Sequence, residues 1–201
     1  MTLRSNCQRL LLLLLSFPAS HALAYEFGLS VGQYEPFDGV VNSVYQNVAP
    51  SYLLRFGVPR DNGLSWSSML VHHEFKSRIA NLENDVRLMA LQSGFRKTFL
   101  DRSELLLGIE PFFGASVGMV SLDVNSASNV SEQSYTGETK YGFSSAWEIG
   151  AQFNSRLLHH VEWEIKLTDL AVGRKIYGNQ NMGGRILSFG FQYNLNTEAA
   201  H

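Results

Sequence analysis

The sequence predicts a single all-β domain, an eight-stranded antiparallel, up-and-down β-barrel that crosses a membrane. Its C-terminal stretch, residues 184–195, alternates without fault: Leu187, Phe189, Phe191, Tyr193 and Leu195 fall on one face, and Ser188, Gly190, Gln192 and Asn194 on the other. Successive side chains of a strand point to opposite faces, so one face is wholly apolar and the other small and polar. In a soluble barrel the apolar face fills the interior and the outer face carries charges. In a membrane barrel the apolar face meets lipid, and a narrow lumen takes Gly, Ser, Asn and Gln. The small face favours lipid.

A second observation is that the strand at residues 25–34 repeats this pattern. Tyr25, Phe27, Leu29 and Val31 lie on one side and Glu26, Gly28, Ser30 and Gly32 on the other. Matching first and last strands can pair and abolish the sheet edges. The third observation is that the connections between predicted strands alternate in length from long to short. Membrane barrels sort them in this way, with short turns on the periplasmic side that holds both termini and longer loops outside.

In chain order, residues 1–24 read as a secretory leader. Arg4 and Arg9 precede an apolar run at 10–17, Pro18 breaks it, and Ala22-Leu23-Ala24 offers small residues for cleavage. The run is too short for a transmembrane helix, which needs ~20 residues. Cys7 precedes the run, so the mature chain from Tyr25 holds no cysteine and no disulfide. Mass spectrometry of protein extracted from membranes is expected to return a chain beginning at Tyr25. A mass retaining the leucine run would refute export.

The polar stretch 35–47 leads to a second strand at 48–58, with Tyr52, Leu54, Phe56 and Val58 outward and Ser51, Arg55 and Gly57 inward. A tight turn follows at 59–63. The third strand, 64–75, changes parity: Leu64 and Trp66 share one face and Met69, Val71 and Phe75 the other, which predicts a bulge near Ser67-Ser68. After a polar loop at 76–85, the fourth strand sets Met89, Leu91, Phe95 and Phe99 outward against Ala90, Gln92, Gly94, Arg96 and Thr98.

The fifth strand, 104–121, turns Ile109, Phe113, Val117 and Met119 outward, with Glu110, Phe112 and Gly114 inward. Pro111 lacks a ladder donor and marks an irregularity. The longest loop, 122–140, is rich in Ser, Asn and Thr. The sixth strand places Tyr141, Phe143, Trp147, Ile149 and Phe153 outward and Ser144, Glu148 and Gln152 inward. The seventh places Val161, Trp163, Ile165 and Leu167 outward and Glu162, Glu164, Lys166 and Thr168 inward. A loop at 172–183 closes the series. The barrel thus spans 25–195, followed by a short tail at 196–201.

On these alternating strands the chain resembles the small eight-stranded outer-membrane barrels of the opacity and attachment-protein type. The resemblance implies that fold and an outer-membrane location, with no functional residue to transfer. It also implies as partners the outer-membrane lipid and lipopolysaccharide, the assembly machinery, and host or surface ligands. Family members usually end on an aromatic residue, whereas here Tyr193 and Leu195 are followed by residues 196–201.

The formal net charge of −2 gives no reason to expect a nucleic-acid partner, and a monomer is expected. The inward charges Arg55, Arg96, Glu110, Glu148, Glu162, Glu164 and Lys166, with Glu26, suggest an ion network in the lumen. An eight-stranded barrel is just wide enough for side chains to fill, so these charges are expected to pair as a polar plug; a gate or ion path is the alternative.

The pairs His72-His73 and His159-His160 invite a metal, but strand placement separates them by the ~25 Å of the apolar band, and neighbours on a strand point opposite ways. No metal, cofactor or catalytic residue is predicted. A lipid-editing hydrolase would need Ser, His and a carboxylate together near the outer leaflet. His73 with Glu74 and Ser121 with Asp123 reach that height, yet the His-x-Ser-Asn element of barrel deacylases is missing. The basic residues Lys76, Arg78, Arg87, Lys140, Arg174, Lys175 and Arg185 could meet lipopolysaccharide phosphates, although Glu74, Glu83, Asp85, Glu132 and Glu138 are interleaved with them.

Overall fold

The computed structural model describes residues 25–44, 50–59, 61–79, 82–99, 109–128, 134–154, 161–173 and 181–195. Eight strands run in chain order: β1 (Tyr25–Pro36), β2 (Pro50–Pro59), β3 (Leu64–Ile79), β4 (Leu82–Thr98), β5 (Ile109–Ser128), β6 (Ser134–Asn154), β7 (Val161–Val172) and β8 (Gly184–Leu195). Each pairs antiparallel with the next, and β1 pairs with β8 from Tyr25↔Leu195 to Pro36↔Gly184, so the sheet is a closed barrel without lateral edges. Both chain ends of the barrel lie at one rim, here the terminal end. The expected leader (1–24), the tail (196–201), the start of the fifth strand and the turns at 100–103 and 156–160 lie outside the described residues.

The outward faces are those the alternation predicts. Phe143 (82% exposed), Phe189 (56%) and Ile149 (50%) show their side chains fully on the exterior, with Phe27, Leu54, Phe56, Phe95, Phe113 and Trp163 beside them on other strands. A surface that exposes this many large apolar groups around its whole girth is stable against lipid and not against water. Aromatic pairs reinforce the wall: the ring of Trp163 stacks on Phe189 at 5.6 Å and meets Phe191 edge-on at 6.3 Å.

The β2–β3 turn forms where expected. Asn62 (φ 63°) and Gly63 (φ 68°) both adopt the left-handed conformation, which this residue pair reaches more readily than others.

Four expectations need correction. β3 has no bulge: it pairs without a register shift to β2 (Phe56↔Ser68, Gly57↔Ser67) and to β4 along its whole length. Met69, Val71 and Phe75 are apolar and point inward, buried to 6% exposure or less. The apparent change of parity marks the height at which apolar residues pass from the outer face to the inner one.

Nor are 76–85 and 122–140 loops over most of their length. The β3–β4 ladder continues to Ile79↔Leu82, and the β5–β6 ladder to Ala127↔Ser134. Most residues of these two hairpins are polar, while their backbone still forms the ladder. The long-short contrast in connections therefore comes from hairpins that project past the far rim.

Pro111 causes no irregularity, since Pro111↔Ala151 continues the register and its carbonyl accepts from Phe99 N–H at 3.0 Å. The β5–β6 shift lies between Val124 and Ser126. Lastly, the polar stretch after β1 holds a short helix, α1 (Gly39–Val44), whose Val41 is fully buried.

Candidate functional site

The lumen has two zones of opposite chemistry. In the terminal half, inward positions of β1, β2, β4, β6, β7 and β8 bring the charged side chains together. Arg55 on β2 donates through Nη1 to Gln192 Oε1 (2.6 Å) and through Nη2 to Glu26 Oε2 (3.1 Å) and Ser65 Oγ (3.2 Å). Arg96 on β4 donates through Nη2 to Glu164 Oε2 (3.0 Å) and through Nη1 to Gln192 Oε1 (3.3 Å). Its guanidinium lies 3.2 Å from the centre of the Phe112 ring.

Lys166 Nζ donates to Glu164 Oε1 (2.7 Å), which also accepts from Ser30 Oγ (2.8 Å). Glu148 stands next to this group, with Oε1 3.9 Å from Arg96 Nε and Oε2 3.8 Å from Lys166 Nζ. Glu162 accepts from Gln152 Nε2 (2.9 Å) and Asn194 Nδ2 (3.0 Å). Arg96, Lys166 and Glu164 are exposed by 2% or less. Charges so deeply buried persist only because they are paired and hydrogen-bonded.

Of the residues singled out in the sequence, Arg55, Arg96, Glu148, Glu164, Lys166 and Glu26 therefore meet through direct contacts or a shared partner. Glu110 and Glu162 lie lower, where with Glu26, Asn194 and Ser65 they line a vestibule of about 610 Å³ at the terminal end. The residue that sequence reasoning passed over is Gln192, which accepts from Arg55, Arg96 and Gln152 and donates to Asn194 (3.1 Å). Being uncharged, it reads in the sequence only as part of a small polar face. Its place on the inward row of β8, at the height of Arg55, was the available signal.

The far half of the lumen is mainly apolar, with Ser51, His73, Gln92 and Ser144 buried among its apolar side chains. Leu53, Met69, Val71, Phe75, Val86, Leu88, Val120, Leu122, Leu170, Val172 and Ile186 form one buried cluster, and Val41 of α1 enters it from the rim. The segment after β1 and the segment before β8 are stitched together there. Phe37 N–H donates to Gly183 O (2.9 Å), Asn181 N–H to Asp38 Oδ2 (3.2 Å) and Tyr34 O–H to Met182 O (2.5 Å).

His73 is buried in this zone, stacked on Tyr34 at 4.6 Å and edge-on to Phe75, with Nδ1 2.9 Å from Ser51 Oγ. Its neighbour His72 faces outward, 3.7 Å from Glu74. His73 and Glu74 thus occupy opposite faces of β3, and Ser121 and Asp123 follow the outward row of β5, so these four residues do not converge. Among the described residues no group of three or more His, Asp, Glu or Cys is placed to hold a metal ion. His159 and His160 lie outside the described residues.

Of the basic residues, Arg87 and Lys76 gather on Glu74 on the barrel exterior at 3.2 and 3.9 Å. Arg185 makes a two-point pair with Asp169 at 2.8 and 3.0 Å. Lys140 is half-buried. Arg174, Lys175 and the Arg78 side chain lie outside the described residues.

The closed eight-stranded barrel, belted by apolar residues and filled by its own side chains, defines the chain as a small barrel of the outer-membrane type. No protein-family model and no curated protein matches it. Solved structures do. Neisserial surface protein A superposes with a TM-score of 0.57 at 12% identity, covering 86% of this chain and 97% of that one. The outer-membrane protein OprG of Pseudomonas aeruginosa gives 0.54 at 10% identity, with 88% and 97% covered. The attachment invasion locus protein Ail of Yersinia pestis, crystallised with the heparin analogue sucrose octasulfate, gives 0.51 at 11%, with 86% and 100% covered. At such identities the likeness is one of fold.

Proposed function

We propose that the protein resides in the outer membrane as a closed, non-catalytic barrel and acts through its far-end surface, in a structural or surface-interaction role. The observation that carries this reading is the stacking of the two lumen zones. An ion that enters the vestibule meets first a paired charge network and then a packed layer around Leu53, Met69 and Val71, whose buried polar groups, Gln92 with Ser144 and Ser51 with His73, are already bonded to each other and poorly replace a hydration shell. With the lumen filled, the parts left to meet a partner are the projecting β3–β4 and β5–β6 hairpins and the exterior charges. Arg87 and Lys76, 45% and 61% exposed, stand where lipopolysaccharide phosphates would reach them.

A small channel is the second reading, favoured by the vestibule, whose Glu26, Glu110 and Glu162 would attract cations. Planar-bilayer recording separates the two. The wild type is expected to show no steady conductance. A stable, selective current abolished by changing Glu110 or Glu148, with folding unaffected, would establish the channel.

A further inference from the structure

A cavity of about 10 Å³ lies where the polar zone meets the apolar one, bordered by Arg55, Ser67, Met69, Ser116, Ala146 and Glu148. Arg55 is 3% exposed and engages Gln192, Glu26 and Ser65 through its two terminal nitrogens, while its Nε–H makes no hydrogen bond to the protein. Glu148, 7% exposed, likewise makes no hydrogen bond through Oε2. The residue that holds this buried donor and the one that holds this buried acceptor line the same small space, and leaving either atom unsatisfied is costly.

A buried water needs ~10–15 Å³ for its centre and two to four polar partners. The cavity meets the lower bound, and Ser67 adds a hydroxyl. An ion fits less well, because a cation would face the Arg55 guanidinium and an anion the Glu148 carboxylate. We infer that the cavity is a resident-water site in which one water accepts from Arg55 Nε–H and donates to Glu148 Oε2. Such a water joins Glu148 to the Arg55–Glu26 arm that reaches the vestibule. On the far side of the cavity Ser116 continues the polar chain to Gln92, which donates to Ser144.

The test is NMR of the ¹⁵N-labelled barrel in nanodiscs, reading cross-relaxation between the Arg55 Nε–H proton and water, with the sign that distinguishes a long-lived bound water from hydrogen exchange. A contact is expected in the wild type. Ser67→Val, which puts a methyl group into the cavity, is expected to lose it while keeping the gel mobility of the folded barrel. Should that variant fail to fold, Ala146→Val fills the same space and is read in the same way. Absence of the contact in the wild type, or a contact unchanged in the filled variants, would overturn the assignment.

Discussion

Arg96→Ala is expected to destabilise the folded barrel by ~3–5 kcal/mol, the cost of leaving a buried partner charge uncompensated. The guanidinium holds Glu164, whose side chain is 1% exposed, approaches Glu148 at 3.9 Å and covers the ring of Phe112. Truncation removes all three contacts and opens a void where water has little access. Arg55→Ala is expected to cost less, because its carboxylate partner Glu26 is 17% exposed beside the vestibule and can be rehydrated.

Equilibrium unfolding by urea from lipid vesicles, read by tryptophan fluorescence, gives the order directly. Equal losses, or a loss below about 1 kcal/mol at Arg96, would mean that the network is solvated and weak. Lys166 offers a second check. It shares Glu164 with Arg96, so the double variant should lose more than the sum of the singles if each cation partly compensates for loss of the other.

How much of this was legible in the sequence depends on height in the barrel. Within the apolar band the two faces differ chemically, lipid against a crowded polar lumen, and period-two alternation reports the strand, its face and its register neighbours. Tyr52, Phe95, Trp147, Trp163 and Phe189 all face where their spacing places them. At the far rim the contrast inverts. His72, Glu74 and Arg87 take the outward face, while Val71, Phe75, Val86 and Leu88 fill the interior. Read as one strand, β3 then shows a parity break that mimics a bulge.

Beyond the rim polar residues fall on both faces of the strands, and the signal vanishes although the ladder persists to Ile79↔Leu82. Polarity there did not mean irregular backbone. Helix α1, six residues long, is too short to show helical periodicity, and it is held by tertiary contacts of Val41. The charged members of the lumen network were visible from residue type and parity. Their partners, and the place of Gln192 among them, depend on which strands face one another across the closed barrel, and closure has no local sequence signal.

Phe191→Arg is expected to cost ~2–4 kcal/mol, the penalty found for a guanidinium on the lipid face near the bilayer midplane. Phe191 stands midway along the outward row from Leu187 to Leu195, opposite Leu29 on β1 and Trp163 on β7. The substitution leaves every lumen contact in place and brings one charge into hydrocarbon, so its cost measures the lipid exposure of the wall. Gly190→Ala, one residue away, tests the other face by a different mechanism. An added Cβ there would meet the Leu29 carbonyl and approach Ser30 Oγ at 2.5 Å, so the crowding falls on the neighbouring strand β1, and the β1–β8 seam that closes the barrel must shift. The two variants should therefore differ in how they respond to the bilayer. The arginine penalty should shrink in thinner membranes, which let its head reach the interface, and the alanine penalty should not. If Phe191→Arg were tolerated at full stability and the wild type stayed soluble without detergent, the outward apolar rows would not be facing lipid at all.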